Sequence, residues 1–160
     1  VSATGCTALQ ALLLALPGEE EAVLSAFARN VGGVAPSAAA AVTAVADGSC
    51  YVGVTTEDLA LQAADSGLSV TVVCPEEGTV LQPDCAAVVA GCAHGDNARA
   101  FIDFLLSSEV QSRMAEQFLR PIRDASGDLP PALAYDPYGA GAHQAELLTT
   151  WRSLTAEETA

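Results

Sequence analysis

The sequence predicts an α/β domain: a mostly parallel sheet flanked by helices. Three observations lead there. Four short apolar runs have the length and β-branched content of strands: Cys50–Thr55, Leu68–Cys74, Thr79–Leu81 and Ala86–Ala90. Longer runs with apolar residues three and four apart precede, separate and follow them as helices. Gly, Pro and Asp then fall at the joints, where turns need them.

The elements follow in order. Leu9, Leu12, Leu13 and Leu16 share one helical face, and Pro17-Gly18 stops that helix. Glu19, Glu20 and Glu21 open a second helix through Val23, Leu24 and Phe27, because carboxylates in a first turn complement the helix dipole. Asn30–Pro36 is a Gly-rich connection. Ser37 is the N-cap candidate of an Ala-rich helix that runs to Ala46 and ends at Asp47-Gly48. After the strand at Cys50–Thr55, Thr56-Glu57-Asp58 opens a helix that ends at Ser66-Gly67. The strands from Leu68 onward are divided by Pro75–Gly78 and by Pro83-Asp84. Asn97–Leu106 is a helix with Ala98, Phe101, Ile102 and Leu105 as its buried face. Ser108–Phe118 is another, capped by Ser107 or Ser108, with Gln111 as a capping-box partner of Ser108. The chain is irregular from Arg120-Pro121 to Gly141. A last helix spans about Ala142–Leu154, and the tail Thr155–Ala160 is expected to fray.

Composition excludes several classes of function. At 51% hydrophobic and 16% charged, the 160 residues have enough apolar surface to offset chain entropy, so the chain is not disordered. No apolar run reaches the ~20 residues that cross a bilayer. Twenty acidic residues face six Arg and no Lys, for a net charge of −14, so nucleic acid and anionic membranes are poor partners. Five Cys (Cys6, Cys50, Cys74, Cys85, Cys92) form no CxxC pair and match no zinc spacing. They read as small buried hydrophobes, with a disulfide between two of the later strands left open.

Chemistry is sparse. There is no P-loop, no Gly-x-Ser-x-Gly elbow and no Gly-x-Gly-x-x-Gly, and His94 and His143 lack metal-ligand spacing. The informative segments are helix starts: Ser2-Ala3-Thr4-Gly5, Ser37-Ala38 and Thr56-Glu57-Asp58. A helix N-terminus presents free N–H groups and partial positive charge, so it holds phosphate, phosphonate or carboxylate without a lysine. Ordinary N-capping is the competing reading of each. Glu76 and Glu77, adjacent in the Pro75–Thr79 turn, either face water, accept hydrogen bonds from ligand hydroxyl or ammonium groups, or ligate a hard cation.

Beyond these patterns, the stretch GSCYVGVTTEDLALQAADSGLSVTVVCPEEGTVLQPDCAAVVAGCAHGDNARAFIDFLLSSEVQSRMAEQ resembles the extracellular solute-binding proteins of ABC importers. It is most similar to the group that takes ferric iron, phosphonates and sugar phosphates. The Val-Gly…Glu-Asp junction, the Pro75–Thr79 turn and the Asn97–Gln111 pattern carry the resemblance. SATGCTALQALL is similar to the family's ligand loop, and LPPALAYD with LTTWRSL to its C-terminus.

The resemblance implies a type II periplasmic-binding-protein-like fold. Members have two lobes joined by crossing strands, with ligand in the cleft between them. Residues 1–78 correspond to the second lobe. Residues 79–160 correspond to the return strand and the C-terminal helices that pack on the first lobe, most of which this chain lacks; its first pattern opens at a helix cap with no strand before it. The implied function is capture of a small anionic solute by hinge closure and delivery to a membrane permease, outside the cytoplasm, periplasmic or lipid-anchored at the cell surface. No cofactor, metal or catalytic residue is implied. Carried over by position, Ser2, Ala3, Thr4 and Gly5 hold the anionic group, Ser37 and Ala38 add donors, and Thr56, Glu57, Asp58, Glu76 and Glu77 meet hydroxyls or an amine. The ferric branch has adjacent tyrosines where this chain has Thr55-Thr56; the nearest is Tyr51, so an organic anion is expected ahead of ferric iron. Readings from other classes are an enzyme on the same anion site, with Glu57, Asp58, Glu76 or Glu77 as acid and base, and the ligand-sensing domain of a regulator. An apolar face around Val88, Phe101 or Leu105, left without its lobe, is expected to drive self-association.

Overall fold

The computed structural model describes residues 2–122 and 130–157. Among them stand seven helices: α1 (Ala3–Ala15), α2 (Glu20–Ala28), α3 (Ala38–Ala46), α4 (Glu57–Asp65), α5 (Gly95–Leu105), α6 (Ser108–Glu116) and α7 (Pro137–Glu157). The expected parallel sheet does not form. Strand-type pairing among the described residues is confined to one parallel bridge, Thr79 with Ala132.

The reason lies in what a strand needs. Apolar, β-branched sequence favours an extended backbone, but a sheet requires a second strand in register about 4.8 Å away. The segments 50–55, 68–74 and 86–90 find no such neighbour among the described residues, and their side chains stand open: Tyr51 is fully exposed, and Val52, Val73 and Val89 are each more than three-quarters exposed. Within 68–74 the backbone turns on itself, Val70 N–H donating to Leu68 O at 2.8 Å.

The chain divides into two compact units, Val1–Leu81 with Leu129–Ala160, and Gln82–Asp128. In the first, α1, α2 and α7 close on Leu9, Leu24, Ala28 and Trp151, with Leu13, Phe27, Val31, Leu147 and Leu154 around them. The Phe27 and Trp151 rings lie 5.7 Å apart, tilted by 39°. Gln10 ties α1 to the start of α7. Its Nε2 donates to Ala140 O at 3.0 Å, and Tyr135 Oη donates to its Oε1 at 3.0 Å. The last helix begins five residues earlier than its apolar pattern predicts, because Asp136-Pro137 starts it. The Asp136 carboxylate accepts from the N–H of Tyr138 and of Gly139, and Pro137 takes the first helical position, where its missing N–H costs nothing. Positions 158–160 of the expected frayed tail, and 123–129 of the expected irregular stretch, lie outside the described residues.

In the second unit α5 packs on α6. Ser107 caps α6 through the Val110 N–H, and the capping box expected of Gln111 is absent. The Gln111 side chain is buried instead and bridges the end of α5 to the segment after α6: Nε2 donates to Leu105 O and Oε1 accepts from the Ile122 N–H, both at 2.9 Å. The face expected to be buried on α5 is only partly so, since Phe101 stays 59% exposed beside Phe104 at 56%. The cysteines also depart from expectation: Cys6 is buried, but Cys50, Cys74 and Cys85 are exposed, and all five thiols are free.

Candidate functional site

The segment after α3 builds the site. Asp47-Gly48 ends the helix: Gly48 takes φ +80°, a conformation that L side chains rarely adopt, and reverses the chain. Residues 50–55 then run back along α3. Cys50 N–H donates to Ala44 O at 2.9 Å. Gly53 lies directly on the helix, where a Cβ would come within 2.9 Å of Val45 Cγ2 and 3.1 Å of Ala41 O, so a side chain there would push the segment or Val45 away. The Thr55 hydroxyl donates to Ala38 O at 3.0 Å. The next residue, Thr56, is the N-cap of α4. Two helix starts are thereby set side by side, Ser37-Ala38 and Thr56-Glu57-Asp58.

Their donors can be enumerated. Ser37 Oγ accepts from the Ala40 N–H at 3.1 Å, and Ser37 O accepts from Ala41, which leaves the first two amides of α3, Ala38 and Ala39, unused by the helix. Thr56 makes no side-chain cap and is a half-buried residue at the start of α4. Glu57 and Asp58 occupy the first turn, where they complement the dipole and place negative charge at the rim. Between Arg29 and Arg99 the sequence has no Lys or Arg. An anion here would be held by amides and hydroxyls, and the two carboxylates would favour a ligand that also carries hydroxyl or ammonium groups.

The other expected residues are placed elsewhere. Ser2 caps α1 through the Gly5 N–H at 3.2 Å, as an ordinary N-cap. Since α1 packs on α2 and α7 while α3 packs on α4, Ser2, Ala3, Thr4 and Gly5 belong to a different group of helices from Ser37 and Thr56. Glu76 and Glu77 are exposed on the turn closed by Gly78 N–H to Pro75 O. Among the described residues no three His, Cys, Asp or Glu side chains stand close enough to hold a metal ion. An open depression of about 600 Å³ lies at Gly18–Ser25, but Glu19, Glu20 and Glu21 line it, which disfavours an anion. There the Gly18 N–H donates to Glu20 Oε1 at 2.9 Å and holds the Glu20 carboxyl below its ordinary range. His94 and His143 are both exposed. Sequence reasoning missed Gly53 and Thr55 as the residues that dock the segment. The visible signal for Gly53 was a glycine inside an apolar run, which marks a close backbone approach.

The sequence profile of the family described as bacterial extracellular solute-binding protein matches residues 3–140. The chain belongs to this family. Searches of curated proteins and of solved structures return no match. As a solute-binding protein it is a substrate-binding component of a transport system, it works outside the cytoplasm, and it acts together with a membrane transporter. The family generally binds its solutes without transforming them.

Proposed function

We propose that this solute-binding protein is the capture component of an ABC-type importer and that its solute is a small organic anion, a phosphorylated sugar or a phosphonate, gripped at the paired starts of α3 and α4. The observation that carries the reading is the Thr55–Ala38 hydrogen bond, which sets two N-termini together in a stretch without a cationic residue. Ala38 and Ala39 supply amides, Ser37 and Thr56 hydroxyls, and Glu57 and Asp58 accept from the hydroxyl or amino groups of the solute. Ser2–Gly5, Glu76 and Glu77 lie in the same compact unit on other elements and would reach the ligand only if α1 and the Pro75–Gly78 turn shifted toward α3 and α4, and the ligand-bound form is what the membrane permease would recognise.

Calorimetry of the chain against glycerol 3-phosphate, 2-aminoethylphosphonate, glycerol and ferric citrate tests this. Saturable binding of either phosphorus compound and none of glycerol is expected. Binding confined to ferric citrate, or binding of glycerol as tight as that of its phosphate, would overturn it.

A further inference from the structure

The segment 50–55 is held to α3 at both ends, by Cys50 N–H to Ala44 O at 2.9 Å and by the Thr55 hydroxyl to Ala38 O at 3.0 Å. The thickness of its middle therefore decides how close it lies to the helix. That middle is Gly53, where a Cβ would fall 2.9 Å from Val45 Cγ2, while ordinary contact begins at 3.4 Å. The backbone there makes no demand for glycine. Among the described glycines a positive φ belongs to Gly18, Gly48, Gly67, Gly78 and Gly91, and not to Gly53. What glycine supplies at 53 is closeness alone, and the nearest obstacle is one methyl of a half-buried valine. A methyl added at 53 must push the segment or Val45 aside by about 0.5 Å before ordinary contact is restored. If the segment gives, the Thr55–Ala38 bond is stretched to the edge of hydrogen-bonding range, and the first turn of α4, which starts at the next residue but one, moves with it.

We propose that Gly53 and Val45 are positioning residues of the candidate site: their contact is the spacer that sets how closely the first turn of α4 lies against that of α3. The inference rests on the solute-binding role proposed for those two turns. Neither residue meets the solute itself. Val45 stands eight residues along α3 from Ser37, roughly 12 Å at the rise of a helix and out of reach of a small solute held at the helix start. Recognition by amides and hydroxyls on two separate elements falls steeply when one element is misplaced by a fraction of an ångström, so the spacer governs affinity from a distance.

The test uses the full chain, with calorimetry against glycerol 3-phosphate and 2-aminoethylphosphonate at a temperature where circular dichroism shows each variant fully folded, so that lost stability does not register as lost affinity. Gly53→Ala is expected to weaken binding at least tenfold. Adding Val45→Ala, which removes the obstructing methyl, is expected to bring affinity back to within about threefold of the wild type, a rescue that a merely structural glycine would not show. Nuclear Overhauser cross-peaks between Thr55 and Ala38 are expected in the wild type and the double variant and lost in Gly53→Ala. Unchanged affinity in Gly53→Ala, or a folded double variant that binds no better than Gly53→Ala, overturns the proposal. Where Gly53→Ala does not fold, a tenfold loss in the folded double variant overturns it, and so does the absence of Gly53–Val45 cross-peaks in the wild type. Should the wild type bind neither phosphorus compound, the proposed function fails on its own account, and the spacer is judged by the Thr55–Ala38 cross-peaks alone: their survival in Gly53→Ala overturns it.

Discussion

Replacing Trp151 by alanine tests the helical core directly. Trp151 is the sole tryptophan, is 5% exposed, and joins α7 to Phe27 on α2 and to Leu9 on α1 through the same apolar cluster. A buried aromatic ring removes ~150–250 Å² from water. At ~25 cal/mol per Å² that is about 4–6 kcal/mol, an upper bound because the unfolded chain already hides part of this surface. Aromatic-to-alanine substitutions in cores cost ~3–5 kcal/mol once the cavity is included, so about 4 kcal/mol is expected. For a chain of this size that lowers Tm by roughly 8–16 °C. Urea unfolding followed by circular dichroism at 222 nm measures the loss, since the variant has no tryptophan signal. Trp151→Phe keeps a ring against Phe27 and should lose much less, and Tyr138→Ala, at a residue 89% exposed, should lose almost nothing. A Trp151→Ala midpoint no lower than that of Tyr138→Ala would refute the three-helix core, and with it the placement of α1 on α2 and α7.

Other perturbations bear on the site and the surface. Thr55→Val deletes the hydroxyl that ties the start of α4 to α3; the stability cost should be modest, ~0.5–1.5 kcal/mol by urea unfolding, while calorimetric affinity for a phosphorylated solute should fall at least tenfold. Because the chain carries a net charge of −14, association with a dianionic solute should quicken severalfold between ~0.01 and 0.15 M salt, as the Debye length shrinks from ~30 to ~8 Å; stopped-flow kinetics showing the opposite slope would place a cationic surface at the site. The Glu20 and Asp47 carboxyls are both held below their ordinary values, Glu20 chiefly by the Gly18 N–H and Asp47 chiefly by the Ser49 hydroxyl and N–H. A depressed carboxyl stabilises the fold above its unfolded pKa, and that contribution is lost as pH falls through the folded value. Both groups are exposed, so the effect is small. The double variant Glu20→Gln, Asp47→Asn should therefore lose slightly less stability than the wild type on going from pH 6 to pH 3.

What was legible in the sequence is what neighbouring residues decide. The helix that follows Ser37 and the one that follows Thr56 stand where the capping and apolar patterns put them, and Pro17-Gly18, Asp47-Gly48 and Ser66-Gly67 all end helices. The end of α4 is a full Schellman motif, Leu68 N–H to Ala63 O and Gly67 N–H to Ala64 O, formed by a glycine visible in the sequence. The start of α7 was missed although Asp136-Pro137 announces it, because Gly139 and Gly141 interrupt the apolar period that was followed. The sheet failed for a different reason. Apolar alternation reports which residues favour extension, and pairing depends on partners far away in sequence. The end of α6 also gave no warning: Phe118 takes φ +63° where glycine is usual, held by the Leu119 N–H to Met114 O bond.

The geometry of the candidate site does not depend on the expected sheet. Its defining contact joins residues 17 apart, Thr55 and Ala38, and every other contact that docks the segment onto α3 spans less: Cys50 to Ala44, and Gly53 against Ala41 and Val45. Such local closure costs little chain entropy. The reversal at Gly48, the bare backbone at Gly53 and the hydroxyl at Thr55 suffice to bring α4's first turn to α3's first turn. Ser37, Ala38, Thr56, Glu57 and Asp58 therefore stand together without the expected sheet, while Ser2–Gly5, carried over by position from the resemblance and 32 or more residues away from Ser37 in sequence, lie on another group of helices.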